Sequence, residues 1–177
     1  MGYAGGTKPD PDYHSLGDHT ESIQIDYDPK QISYKELLHI FWSSHNPRSR
    51  SRSKQYRAAV FYHNEEQKRL ALKTKDEMAV KGKIYTEILP LSKFYRAEDY
   101  HQKYYLRGNP GIAGELLAVY PEAKEFTDST AAARLNGYIA GFGSAENLKK
   151  EIKGFGLSKE AEEKLLEKFR SRGHWLW

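Results

Sequence analysis

The sequence predicts a mixed α/β core followed by a helical extension. Three observations carry that prediction. Runs with strand character alternate with segments that open on helix-capping side chains, which is the signature of an α/β or α+β core. Two of the helix starts, at Ser33 and Asn64, carry both the cap and the residue three positions later that completes it. Beyond Gly108-Asn109-Pro110-Gly111 only helical pieces remain. The predicted division is therefore a core over residues 1–110 and a helical extension over 111–177.

In order along the chain, residues 2–12 are rich in glycine and proline and read as loop. A loop with no element before it suggests that something precedes it. Ser22-Ile23-Gln24-Ile25-Asp26-Tyr27 alternates polar and apolar residues. Period two predicts a half-buried strand with Ile23, Ile25 and Tyr27 facing the core, ended by Asp28-Pro29. Ser33-Tyr34-Lys35-Glu36 is a capping box. The helix after it carries Leu37, Leu38, Ile40, Phe41 and Trp42, a wide apolar face that predicts deep burial. Residues 47–54 form a basic loop in which Arg48, Arg50 and Arg52 alternate with serines.

Tyr56–Tyr62 reads as a strand. Asn64 then caps a helix that runs to about Lys81 and stops at Gly82. Ile84–Leu89 reads as another strand, ended by Pro90, and Ala97–Leu106 as a short helix in which Tyr100, Tyr104 and Tyr105 pack. In the extension, helices are expected around Ser129–Ile139, Ala145–Lys153 and Ser158–Arg170. Leu165, Leu166 and Phe169 of the last should pack inward.

Composition excludes several functions. There is no cysteine, so disulfides, cysteine-ligated zinc and a cysteine nucleophile are all ruled out. No run approaches the roughly 18 apolar residues of a membrane span. The first residues show neither a basic region nor an apolar core, so no leader is expected and a cytoplasmic location is. The formal charge of +4 is a modest excess and does not predict a nucleic-acid binder. His19, His45, His63 and His101 lack metal-ligand spacing. No nucleophile elbow and no dinucleotide fingerprint are present, and no cofactor is expected.

One ordered series of short motifs is specific. Gly2-Tyr3-Ala4-Gly5-Gly6 is followed by Pro9-Asp10-Pro11-Asp12-Tyr13, then by Asp18-His19-Thr20-Glu21 and a segment ending in Tyr27-Asp28-Pro29. Phe41-Trp42-Ser43-Ser44-His45-Asn46-Pro47 comes next. After it stand Gln55-Tyr56-Arg57-Ala58-Ala59-Val60-Phe61 and Phe94-Tyr95-Arg96-Ala97-Glu98-Asp99-Tyr100-His101-Gln102-Lys103-Tyr104. In this order and spacing, over about residues 2–106, the chain resembles the type-A peptide methionine sulfoxide reductases.

The resemblance implies a two-layer α/β sandwich built around a ferredoxin-like split β-α-β. It implies a substrate, methionine sulfoxide in proteins or peptides. It also implies a reaction in which the cysteine of a Gly-Cys-Phe-Trp motif attacks the sulfoxide sulfur, becomes a sulfenic acid and is recycled by further cysteines and thioredoxin. By the same resemblance Glu21 donates to the sulfoxide oxygen, assisted by the hydroxyls of Tyr13 and Tyr56. These roles suit the chemistry. The oxygen gains negative charge as sulfur is attacked and needs preorganised donors. A glutamate donates only in its acid form, which an apolar pocket favours.

The chain departs from the family pattern in three ways. The Gly-Cys-Phe-Trp segment, which lies upstream of Gly2 in the family with the fold's first strand and helix, is not in the sequence, and no recycling cysteine exists. Thioredoxin is therefore expected as a partner only of a longer, cysteine-bearing form. The loop before Gln55-Tyr56 is short and basic, with Ser51 nearest the place of the family's aspartate. Gly-His-Ala-Glu is replaced by Asp18-His19-Thr20-Glu21.

The sequence thus predicts a reductase relative that is inactive as written. The alternatives are a module that binds oxidised methionine without reducing it, or one that meets an acidic partner through the Arg-Ser loop. Taken singly, Glu21 would be a solvated carboxylate, Tyr13 a loop aromatic and Tyr56 a strand residue; the ordered series gives them weight.

Overall fold

The computed structural model describes residues 1–171, so residues 172–177 of the predicted extension lie outside the described residues. These residues form two compact units, Met1–Glu98 and the segment from Asp99 onward. The architecture is mixed α/β with a helical C-terminal region.

The first unit holds two small sheets. Strands β1 (Gly2–Ala4), β2 (Thr20–Ser22) and β5 (Phe94–Arg96) form an antiparallel sheet in the order β2-β1-β5. Tyr3 sits at its centre, opposite Glu21 on one side and Tyr95 on the other. Strands β3 (Ala59–Tyr62) and β4 (Glu87–Pro90) pair in parallel. Parallel neighbours require a crossover, and helix α2 (Glu65–Ala79) supplies it.

Local chemistry fixes the helix starts. Helix α1 (Tyr34–Ser43) opens on the predicted capping box. The Glu36 amide donates to Ser33 Oγ at 3.2 Å and the Ser33 amide to Glu36 Oε2 at 2.8 Å. The Ser33 hydroxyl, which donates to the same carboxylate oxygen at 2.6 Å, and then the Ser33 amide hold the Glu36 carboxyl below its ordinary value. Asn64 caps α2 by accepting from the Gln67 amide at 2.9 Å. Leu38 and Trp42 of α1 pack on Ala71 of α2 and on Ile84. The Trp42 indole donates to Thr74 Oγ1 at 2.9 Å, so this buried polar group is satisfied.

Three expectations are corrected. Residues 2–4 are not loop but the central strand of the antiparallel sheet. Gly2 is there because neighbouring backbone comes too close for a side chain: a Cβ would lie 2.3 Å from the Tyr95 carbonyl oxygen. The strand expected over Ser22–Tyr27 occupies Thr20–Ser22 instead. Past Ser22 the chain has no ladder partner, so Ile23 and Ile25 are 73% and 52% exposed rather than buried. The helix expected over Ala97–Leu106 is a 3-10 turn at Asp99–His101 and a short helix α3 (Tyr104–Arg107), separated by Lys103 in the left-handed region. There Tyr100, Tyr104 and Tyr105 are exposed rather than packed. On α1, Ile40 likewise faces outward.

The second unit continues with α4 (Pro110–Val119), α5 (Ala123–Asp128), α6 (Thr130–Ile139), α7 (Ala145–Glu151) and α8 (Lys159–Ser171). Pro110 stands at the first turn of α4, where its missing N–H costs nothing. Ser129 and Ser144 cap α6 and α7. Ser158 caps α8 by accepting from the Ala161 amide at 3.2 Å, and its own amide and hydroxyl donate to Glu115 of α4 at 2.7 and 2.6 Å. One continuous core runs through this unit, from Leu106 and Leu116 through Phe126, Leu135 and Ile139 to Leu165 and Phe169. No helix among the described residues is long and apolar enough to cross a membrane.

Candidate functional site

The site is built where β2 meets the turn before β3. The Glu21 amide donates to the Gln55 carbonyl oxygen at 3.0 Å, which stitches the two segments together. Alternation along β2 buries Thr20 and leaves Glu21 half-buried. The Gln55 carboxamide then bridges the candidates. Its Nε2 donates to Glu21 Oε1 at 2.7 Å and to the Tyr56 hydroxyl at 3.1 Å. The Tyr56 hydroxyl also hydrogen-bonds with Tyr13. Partial desolvation, and then the nearby Glu21 and Tyr13, push the Tyr56 phenol up from its ordinary value. Glu21, Tyr13 and Tyr56 are thus brought together, with Gln55, whose role no local pattern signals, as a fourth member.

The loop that delivers Tyr13 spans residues 5–19 and is clamped at both ends and along its length. Glu98 accepts from the buried Tyr3 hydroxyl at 2.7 Å and from the Tyr13 amide at 3.0 Å. Asp18 accepts from the Thr7 amide at 2.7 Å and the Lys8 amide at 3.4 Å. The Thr7 amide is the main reason its carboxyl lies below the ordinary value. His19 is buried. Its Nδ1 accepts from the Gly6 amide at 3.2 Å, so Nε2 carries the proton and donates to the Lys8 carbonyl at 2.8 Å.

Arg57, next to Tyr56, ties the two sheets. Its guanidinium donates to Thr20 Oγ1 at 2.8 Å, to Glu87 on β4 at 3.0 Å and to the Gly5 carbonyl at 3.2 Å. Gly5 has a φ of +74°, and a Cβ there would meet the Phe61 ring at 2.3 Å, so only glycine fits beneath this clip.

Beside the cluster lies a groove of about 510 Å³, lined by Glu21 together with Ile23, Phe41, Val60, Phe61 and Phe94. Glu21 stands on its lip, whereas Tyr13 and Tyr56 are 38% and 64% exposed and lie outside the lining. Tyr34 also borders the groove. Its hydroxyl is buried without a hydrogen-bond partner, and burial pushes its phenol up to about 12. No group of three or more His, Asp or Glu side chains converges to hold a metal among the described residues.

A carboxyl, two phenols and a carboxamide thus stand beside an apolar groove on a mixed α/β frame. The chain belongs to the peptide methionine sulfoxide reductase family, whose profile matches residues 1–134. The helical domain of selenoprotein methionine sulfoxide reductase A matches residues 122–167, which overlaps the helical unit.

Among similar proteins, the peptide methionine sulfoxide reductase of Drosophila melanogaster is 43% identical over 162 residues, covering 89% of this chain and 65% of that protein. Peptide methionine sulfoxide reductase A5 of Oryza sativa subsp. japonica is 41% identical over 148 residues, covering 79% and 58%. The chain thus spans about three fifths of the length of these curated relatives. The crystal structure of Mxr1 from Saccharomyces cerevisiae in reduced form is 33% identical. It superposes with a TM-score of 0.56 over 62% of this chain and 69% of that one.

Proposed function

We propose that this chain supplies the sulfoxide-recognising half of a methionine sulfoxide reductase and does not turn over by itself. The observation that carries the reading is the linkage of Glu21 and Tyr56 through the Gln55 carboxamide, with Tyr13 beside Tyr56. In this reading Glu21 gives a proton to the sulfoxide oxygen, and the Tyr13 and Tyr56 hydroxyls assist as that oxygen gains charge. The methionine side chain lies along the apolar wall of the groove. Reduction also needs an electron pair from a thiolate, which attacks sulfur and leaves with the oxygen as a sulfenic acid. The sequence has no cysteine, so that thiolate, and thioredoxin after it, belong to chemistry outside these 177 residues. Residues 1–110 carry the recognition and 111–177 form its helical extension.

The test is calorimetric titration with a peptide containing methionine sulfoxide and with its methionine twin. The oxidised peptide is expected to bind at least ~10-fold more tightly, because only the oxidised side chain offers an acceptor to the carboxyl, phenol and carboxamide donors. Equal affinity for the two would remove the reading. Dithiothreitol-dependent turnover by this chain would overturn the statement that it does not act alone.

A further inference from the structure

The Arg-Ser loop opens directly beside the site. Its start is pinned: the Tyr85 amide donates to the Pro47 carbonyl at 2.8 Å, and Arg48 Nη2 donates to the Met78 carbonyl at the end of α2 at 2.9 Å. Its end is pinned as well. Thr20 Oγ1 donates to the Lys54 carbonyl at 3.0 Å, one residue before Gln55. Between these anchors Ser51 Oγ donates to the Ser53 carbonyl at 2.8 Å, which holds the tip in a compact turn.

The charges on the tip are not used by the fold. Arg50, Arg52 and Lys54 are exposed. Lys54 Nζ lies 4.0 Å from Asp18, at the limit of an ion pair, and its side chain is 63% exposed. Neither Arg50 nor Arg52 forms an ion pair with a described residue. By contrast the cations on either side are occupied: Arg48 by the Met78 carbonyl and Arg57 by Thr20, Glu87 and Gly5.

Chain length bounds where these cations lie. Arg52 is three residues from Gln55 and Arg50 five, so their Cα atoms lie within about 11 Å and about 18 Å of it. An extended peptide advances about 3.3 Å per residue. A ligand whose sulfoxide sits at Glu21 and Tyr56 can therefore bring flanking residues, up to three to five positions away, within reach of the guanidinium groups.

We infer that the Arg50–Arg52–Lys54 loop selects oxidised methionines flanked by acidic residues. The inference rests on the proposed sulfoxide site and names the class of polypeptide that site takes. Attraction between exposed charges at this range is modest and screened within about 8 Å at physiological ionic strength. The loop therefore acts as a preference that salt removes, not as a main source of affinity.

The experiment titrates the full chain with four peptides: methionine sulfoxide flanked by aspartates, by serines or by lysines, and unoxidised methionine flanked by aspartates. At ~50 mM salt the aspartate-flanked sulfoxide is expected to bind ~10-fold more tightly than the lysine-flanked one, and at ~0.5 M salt within ~2-fold of it. The R50S/R52S double variant should collapse the low-salt difference, and R50K/R52K should keep it. If the serine-flanked sulfoxide binds and no flank preference appears, this inference falls while the sulfoxide site stands. If the aspartate-flanked methionine binds as tightly as its sulfoxide, the loop is a general anion surface open to nucleic acid, and the inference is overturned. If no sulfoxide peptide binds, both readings fail together.

Discussion

The two units of this chain are held by different means. From Asp99 onward, helices α3 to α8 of the described residues enclose one continuous apolar core in which Phe126, Leu135, Ile139 and Leu165 are fully buried. The unit Met1–Glu98 divides its apolar burial between two small clusters, one around Leu38 and Trp42 and one around Tyr3, Leu16 and Ala97. Between its sheets it keeps a groove of about 510 Å³. What substitutes there for apolar packing is side chain to backbone bonding: Arg57 to Gly5, His19 to Gly6 and Lys8, Asp18 to Thr7, Glu98 to Tyr13. The helical unit buries area, whereas the mixed unit positions polar groups and leaves a surface open beside them. A recognition site needs the second arrangement, because a filled core has no room for a ligand.

The contrast can be broken from either side. Leu135→Ala should cost about 3–4 kcal/mol, as a fully buried leucine truncated in a core that cannot collapse around it. Denaturant unfolding of the full chain measures it, and a loss under ~1 kcal/mol would show that the helical core is not the anchor described. Arg57→Ala should cost about 1–2 kcal/mol, since the Gly5 carbonyl loses this donor and Thr20 keeps only its bond to the Lys54 carbonyl. Its bond to the half-exposed Glu87 adds little. Arg57→Lys should recover less than half, because an ammonium cannot span three acceptors set for a fork.

The polar clamps are also sensitive to acid. Asp18 has its carboxyl lowered in the folded state. Its contribution is therefore complete above the ordinary carboxylate range and is lost as pH falls through the folded value. Asp18→Asn should lower the melting temperature by a constant offset above about pH 5 and converge with the parent as pH falls below about 4, so that its acid limb is flatter. An unchanged acid limb would mean that the Thr7 and Lys8 amides do not depend on that charge. Smallest of all, Tyr34→Phe should be neutral or stabilising by up to ~1 kcal/mol, because the hydroxyl it removes is buried without a partner. A loss above ~1 kcal/mol would mean that the hydroxyl has an acceptor in solution.

Much of the frame was legible. The Ser33 capping box, the Asn64 cap and the Ser158 cap of α8 all follow from local sequence. These features depend on residues three or four apart. The candidate cluster was legible only as types in a familiar order. Nothing in the sequence places Tyr13 beside Tyr56, because that proximity depends on Glu98, some 85 positions away, holding the loop. Gln55 went without a role for the same reason: its carboxamide gains meaning only once β2 lies against it. The alternation of Ser22–Tyr27 was read correctly as a pattern and wrongly as a strand, since a ladder needs a partner that period two does not provide.

By itself the sequence determined that thiol chemistry is absent from these 177 residues, because it has no cysteine. It also determined where the capped helices begin, because caps are satisfied within one turn. The tertiary structure alone decided that Gly2–Ala4 is a central strand, that Tyr100, Tyr104 and Tyr105 face outward, and that Glu21 meets two tyrosines at the edge of an open groove. Each of these turns on hydrogen bonds or close approaches between residues far apart in the chain, and no local pattern encodes such a distance.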